Sequence, residues 1–417
     1  MDEKKIFGLI DEHKEELFKL LSDMIKINSE SFGSTGNEQE MAEFLHKMCI
    51  GLGLESEMYS PLEIENFENH PDYMPGRNLE RRYNVSAVWK GEKDENHLML
   101  MGHSDTVETG DVNNWDKAPF SGEISDGKIF GRGACDDKYA LAVILFLIKL
   151  FKDAGYVPKK NIVFSAYSDE EHGGSHGALA AVLKYPCPHI VNLDGREDQI
   201  WHCASGGQNV SYIFHTKNTV DSAKTIAYAL PVVLEEIEKF AEKRKAELSG
   251  NRFYKDTIIP ETSLRYMDVH AGNHGNDLGR GDVEFTYYTD KTKEEICEEF
   301  KQLEKVLSEK LEPMGIIGDG IKAHTRFFHY AYCDPESDDI KIMLDAAREA
   351  TGKEPVVCGS CLSDLSVISK YGNKNAYAFG AGRDFSMLGG AHQPNEFIEC
   401  DKLVDFTKTI AAFILKV

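Results

Sequence analysis

Two carboxylates stand side by side in FSAYSDEEHGG, residues 164–174, directly after an apolar, β-prone run. A solvated turn accounts for an isolated Glu-Glu pair, so the weight falls on what else the chain offers. His103 and Asp105, in GHSDTV, follow the apolar run HLMLMG. Asp194 follows HIVNL, and His392 follows NAYAFGAG and its loop. Each group therefore sits just past a strand-like stretch, and ligands of open α/β sheets collect beyond the carboxyl ends of strands. A lone histidine is more often a satisfied core residue. Two histidines and several carboxylates on one rim instead suit a metal ion, because that many acids repel one another without a cation.

The elements that must deliver these groups alternate in type. HLMLMG (97–102), NIVFSAY (161–167) and HIVNL (189–193) are short apolar runs of the buried-strand kind. Between the first two lies YALAVILFLIKLFKDAG (139–155), an apolar helix ended by glycine. Strand–helix–strand alternation predicts an α/β fold with a mostly parallel sheet covered by helices. The character changes at ASGGQNVSYIFHT (204–216), after which the pattern reads strand, charged helix, two strands, charged helix, strand. That order is an α+β sandwich inserted into the first domain. The sequence thus predicts a first domain built from residues 1–205 and 326–417, with an insert over 206–325.

The remaining composition narrows the partners. The chain has 417 residues, 47 Lys+Arg against 70 Asp+Glu, and a formal net charge of −23, which argues against nucleic acid or an anionic membrane as partner. The N-terminal stretch MDEKKIFGLIDEHKEELFKLLSDMIKI reads as an amphipathic helix, too charged for a signal peptide, and no apolar run reaches membrane-spanning length. Nine scattered cysteines fit reduced thiols and a cytoplasmic setting. Cys358 and Cys361 have no second such pair to complete a zinc site.

WDKAPFSGEISDGKIFGRGACDDK (115–138), taken with GHSDTV, SDEEHGG, NLDG and GGAHQPNEF, closely resembles the M20 family of metallopeptidases and amidohydrolases. That family includes dipeptidases, glutamate carboxypeptidases, acetylornithine deacetylases and succinyl-diaminopimelate desuccinylases. The motifs occur in family order over nearly the whole chain. The resemblance implies a zinc-exopeptidase-like catalytic domain and an inserted lid or dimerisation domain, hence a homodimer. It assigns His103, Asp136, Glu171, Asp194 and His392 as ligands of two divalent ions, zinc first, with cobalt or manganese able to replace it. Asp136 would bridge the ions, and the Asp136–Asp137 peptide bond would be cis. Glu170 would be the general base toward a metal-bridged water, and Asp105 would orient His103. The implied substrate is a short peptide or N-acyl amino acid, cleaved at an amide. The alternative is a non-catalytic binding or regulatory relative that keeps the fold and metal site.

Other assignments are less specific. Asp364, in CGSCLSDLS, stands where the family has GGTD-like sequence, and Arg383, in GAGRDFSMLGGAH, has the chemistry to hold a substrate carboxylate. The family's lid histidine, in a Gly-x-x-x-His pattern, has no counterpart in FHTKNTVDSAKTI (214–226). The glycine-rich stretch 270–282, read as a loop, offers His270, His274, Asn276 and Arg280 in its place. His172 and His176 are read as surface or loop residues. Residues 60–84 read as an extra polar loop that shapes the substrate pocket.

Overall fold

The computed structural model describes residues 1–217, 220–255, 257–274 and 277–417. The chain forms two compact units. One comprises Met1–His202, Tyr332–Cys358 and Val367–Val417, and the other Cys203–Ala331 and Gly359–Ser366.

In the first unit, strands lie in the spatial order Glu55–Tyr59, Asn84–Trp89, Lys160–Tyr167, Lys93–His103, His189–Asn192 and Ala376–Phe379. The last four run parallel, whereas Glu55–Tyr59 and Asn84–Trp89 pair antiparallel. Alternation along one strand divides the core. Leu98 and Leu100 pack on one face with the helices Glu3–Ile25, Lys138–Asp153 and Cys400–Lys416. Met99 and Met101 face the other way, onto Ala178–Val182 of the helix His176–Lys184. Burial on both faces is why these strands read as continuous apolar runs. The N-terminal helix starts where the Asp2 side chain accepts the Lys5 N–H (2.9 Å), and it buries Ile6, Ile10, Leu17 and Leu21.

The second unit is a four-stranded antiparallel sheet in the order Leu264–His274, Asp277–Thr289, Gly206–Thr216 and Ile316–Ala323. The helices Ser222–Gly250 and Lys293–Leu311 contribute Ile226, Val233, Ile237, Ile296, Leu303 and Leu307 to its core. Within it, Arg244 is fully buried and pairs with Glu299 at 2.8 Å, joining the two helices.

Two expectations need correction. The stretch 270–282 is not a loop: His270 and Arg280 lie in paired strands, with His270 opposite Asp282 and Gly272 opposite Arg280. His274 is the last residue of its strand, and Asn276 lies outside the described residues. Residues 60–84 are more than a polar loop. Pro61, Phe67 and Leu79 are buried, Arg82 is fully buried, and the segment runs into the strand Asn84–Trp89. Polar sequence hid this because the buried Arg82 finds its partners, Glu38 and Asp169, outside the segment. Among the described residues no helix is long and apolar enough to cross a membrane.

Candidate metal centre

The four parallel strands end side by side, and the chemistry-bearing residues follow from their ends. His103 is the last residue of Lys93–His103, and Glu170–Glu171 come just after Lys160–Tyr167. Asp194 follows His189–Asn192, and His392 follows Ala376–Phe379 through a loop. Asp136 lies in the turn before the helix Lys138–Asp153, and its peptide bond to Asp137 is cis. Gly102 allows the close fit, because a Cβ there would meet the Asp137 carboxylate at 2.4 Å.

Asp136 stands between two imidazoles. One oxygen is 2.9 Å from His103 Nε2 and the other 3.3 Å from His392 Nε2. Glu171 Oε2 is 3.1 Å from His392 Nε2, while Glu171 Oε1 accepts the Val107 N–H at 3.0 Å. Ligand atoms of His103, Asp136 and Glu171 all lie within 4.8 Å of one another. His103 Nδ1 donates to the backbone carbonyl of Asp105 at 2.9 Å, which turns Nε2 toward the acids. Burial pulls the His103 pKa down, yet Asp136, Glu170 and Asp194 together lift it well above its ordinary value. Burial opposes the charge on His392 too, but Glu171 and Asp136 raise it to about 11. Such a field from converging carboxylates is what a divalent cation neutralises, and the imidazole–carboxylate donor set suits zinc, cobalt or manganese.

Asp105 acts differently from its sequence reading. Its carboxylate is 3.8 Å from His103 Nδ1, and its shorter contacts go to the glutamate turn: Oδ1 accepts the Glu170 N–H and Oδ2 the Glu171 N–H, each at 3.1 Å. The backbone carbonyl of Asp105 makes the close contact to the imidazole, with the carboxylate farther off. His176 is likewise no surface residue. It is buried, accepts the Met74 N–H on Nε2 at 3.1 Å, and presents Nδ1 to Asp169 at 2.5 Å. His172 Nε2 lies 3.2 Å from the Ser31 carbonyl and 3.2 Å from Glu108.

Supporting residues escaped the sequence reading. Arg82 and Arg77, from the 60–84 segment, reach Asp169 at 2.5 Å and 2.8 Å, and Arg82 also reaches Glu38 at 2.5 Å. Burial lifts Glu38 to about 8, with the Asp105 charge adding to the rise and Arg82 opposing it. Glu396, in GGAHQPNEF, takes Arg132 Nη1 at 2.6 Å and the Cys135 N–H at 2.9 Å. It thereby ties the turn carrying Asp136 to the loop carrying His392. The only sequence signal for Glu396 was its place inside a recognised motif.

Other expected site residues sit apart from these contacts. Arg383 stacks on Phe397, its guanidinium 4.1 Å from the ring centroid, and lies 3.5 Å from Glu399. Asp364 belongs to the second unit and is buried 3.7 Å from Arg326, which gives it a structural partner. Arg280 lies 3.4 Å from Asp282.

A mixed sheet with histidines and carboxylates gathered at its strand ends presents a candidate metal centre. The family model for peptidase family M20/M25/M40 matches residues 99–416, and the chain belongs to that family. The chain is 26% identical to an uncharacterized metallohydrolase of Methanocaldococcus jannaschii over 94% of its own length and 96% of the relative's. It is 39% identical to the succinyl-diaminopimelate desuccinylase of Blochmanniella floridana, over 45% of this chain and 52% of that protein. The fold is shared with the di-peptidase Dug1p of Saccharomyces cerevisiae, at a TM-score of 0.74 and 16% identity, with 99% of this chain and 98% of that one covered. It is also shared with human carnosine dipeptidase 1, at 0.69 and 17%, with 100% and 99% covered.

Proposed function

We propose that this chain is a two-metal amidohydrolase that cleaves an amide bond of a short peptide or N-acyl amino acid. The observation that carries the reading is Asp136 set between His103 and His392, with Glu171 on His392 and Glu170 next in sequence. His103, Asp136, Glu171, Asp194 and His392 would hold two divalent ions. When bound, the ions supply Lewis acidity toward the scissile carbonyl and toward water. Glu170, whose N–H is held by Asp105, takes the proton from the attacking water and returns it to the leaving amine. Asp105 keeps Glu170 and Glu171 in fixed relation, so base and ligand roles stay separate.

The loop before His392 supports an apolar substituent on the substrate. Phe385 meets the His392 ring edge-on at 4.8 Å, and Phe385, Met387 and Leu388 are all exposed, Leu388 at 92%. A dimer through the second unit and a reducing, cytoplasmic setting complete the proposal; all nine cysteines are free thiols. Turnover of a panel of dipeptides and N-acyl amino acids of graded chain length, with added zinc, cobalt or manganese, tests it. Hydrolysis that improves with apolar length is the expected result. Absence of turnover on every member, in protein loaded with two ions, would favour the non-catalytic binding relative.

A further inference from the structure

The turn that carries Glu170 and Glu171 is one a free chain would not hold. Asp169, His172 and Ser175 all adopt left-handed backbone, at φ 61°, 61° and 56°, a region that side chains other than glycine rarely occupy. Something must impose it. Asn84 Oδ1 accepts the Ser168 N–H at 3.1 Å, and the Asp169 carbonyl accepts the Ser175 N–H at 2.6 Å. A Cβ on Gly174 would meet the Asp169 carboxylate at 2.1 Å, so the turn is packed directly onto that acid. The Asp105 carboxylate then takes the N–H groups of Glu170 and Glu171.

Asp105, Asp169 and Glu38 are all fully buried, and acids so crowded stay in place only around a cation. That cation is Arg82, itself fully buried. Nη1 is 2.5 Å from Asp169, Nη2 is 2.5 Å from Glu38 and 3.6 Å from Asp105, and Nη2 also donates to Ser31 Oγ at 2.9 Å. The planar fork reaches separate carboxylates at once, which an ammonium on a flexible stem does less well. Arg77 adds a second contact to Asp169 and donates to the Gly33 carbonyl at 2.9 Å.

We propose that Arg82 is a positioning residue for the proposed hydrolysis: acting through Asp105 and Asp169, it sets the turn on which Glu170 and Glu171 divide base and ligand roles. Through Arg82 and Arg77 the segment 60–84 therefore serves the centre by charge. This inference rests on the assignment of Glu170 as general base.

The test uses the full chain with two changes. Arg82→Lys keeps the charge and loses the fork. Arg82→Met combined with Glu38→Gln removes the cation and keeps a neutral, hydrogen-bonding side chain of the same shape at the buried Glu38 position. Folding is followed by thermal melting, metal by elemental analysis, and the turn by amide hydrogen exchange of residues 168–176 in metal-free and zinc-loaded protein. In the double variant the Glu170 and Glu171 amides should exchange at least about 10-fold faster, while those of the helix Lys138–Asp153 keep their protection. On the best amide substrate, kcat should fall about 10²-fold with KM changed less than about 3-fold, and Arg82→Lys should fall between wild type and double variant. Wild-type exchange at residues 170–171 and wild-type kcat in either folded variant would overturn the proposal. So would equal loosening of the turn and the distant helix, which marks a general structural role. Should the double variant fail to fold, Arg82→Lys alone decides by the same readouts. The exchange measurement needs no substrate, so a failure of the amidohydrolase reading leaves it informative.

Discussion

At the residue scale, the adjacent glutamates have different surroundings, and that difference is testable. Glu171 points both oxygens inward, one to the Val107 N–H and one to His392. Glu170 is half-buried, and its charge bears on His103. Glu170→Gln should therefore retain two ions per chain by elemental analysis and lose turnover by about 10²–10⁴-fold, the range for removal of a general base. Glu171→Gln and His392→Ala should instead lower metal content before anything else. Equal metal loss in the Glu170 and Glu171 variants would abolish the distinction between them.

At the element scale, the turn 168–176 and the strand ends work as one construction, and acid should reveal its weak point. Burial works to raise the Asp169 pKa, but the His176 bond and the charges of Arg82 and Arg77 hold it below the usual value. A carboxylate with a lowered native pKa contributes stability that is complete above its unfolded pKa of about 3.9 and is lost as the pH falls through its native value. Denaturant unfolding should show stability declining with acid below about pH 4, and Asp169→Asn should flatten that decline while lowering stability at neutral pH. A Gly174→Ala change should destabilise the same element, because the new methyl must displace the Asp169 carboxylate. Overpacking of this kind costs about 1–3 kcal/mol, measurable as a shift in denaturation midpoint.

At the scale of the whole molecule, the metal centre gathers residues distant in sequence, from His103 to His392, so ions should act as cross-braces of the first unit. Chelation should lower the temperature of its calorimetric transition, and free zinc at about a hundred times its dissociation constant should restore about 2.7 kcal/mol. A transition indifferent to both treatments would show that the ions do not bind the native form selectively. Light scattering tests the dimer expected through the second unit, and a monomer at working concentration would remove it.

The sequence by itself showed the apolar runs that become the strands Lys93–His103, Lys160–Tyr167 and His189–Asn192 and the helix Lys138–Asp153, and the histidine and carboxylate groups that follow those strands. Buried parallel strands must be apolar throughout, and groups placed at their carboxyl ends are held together by the sheet whatever the loops do. The order of elements in the second unit was legible for a similar reason: amphipathic charged helices and strands of period two leave local signatures. The tertiary structure alone decided what lies under the site. Arg82 and Arg77 occur in a polar segment with no periodicity, and Asp169 and His176 look like ordinary turn residues until they pair with each other and Arg82, Arg77 and the Met74 N–H close on them. Asp105 kept its place next to His103 but turned its carboxylate to the glutamate N–H groups. The two strands Leu264–His274 and Asp277–Thr289 were read shorter than they are, because the glycines of 270–282 read as loop, whereas pairing with Gly206–Thr216 makes Asp277–Thr289 an interior strand. Local pattern records which face of an element is apolar; the partner of a buried charge is set only when distant segments close around it.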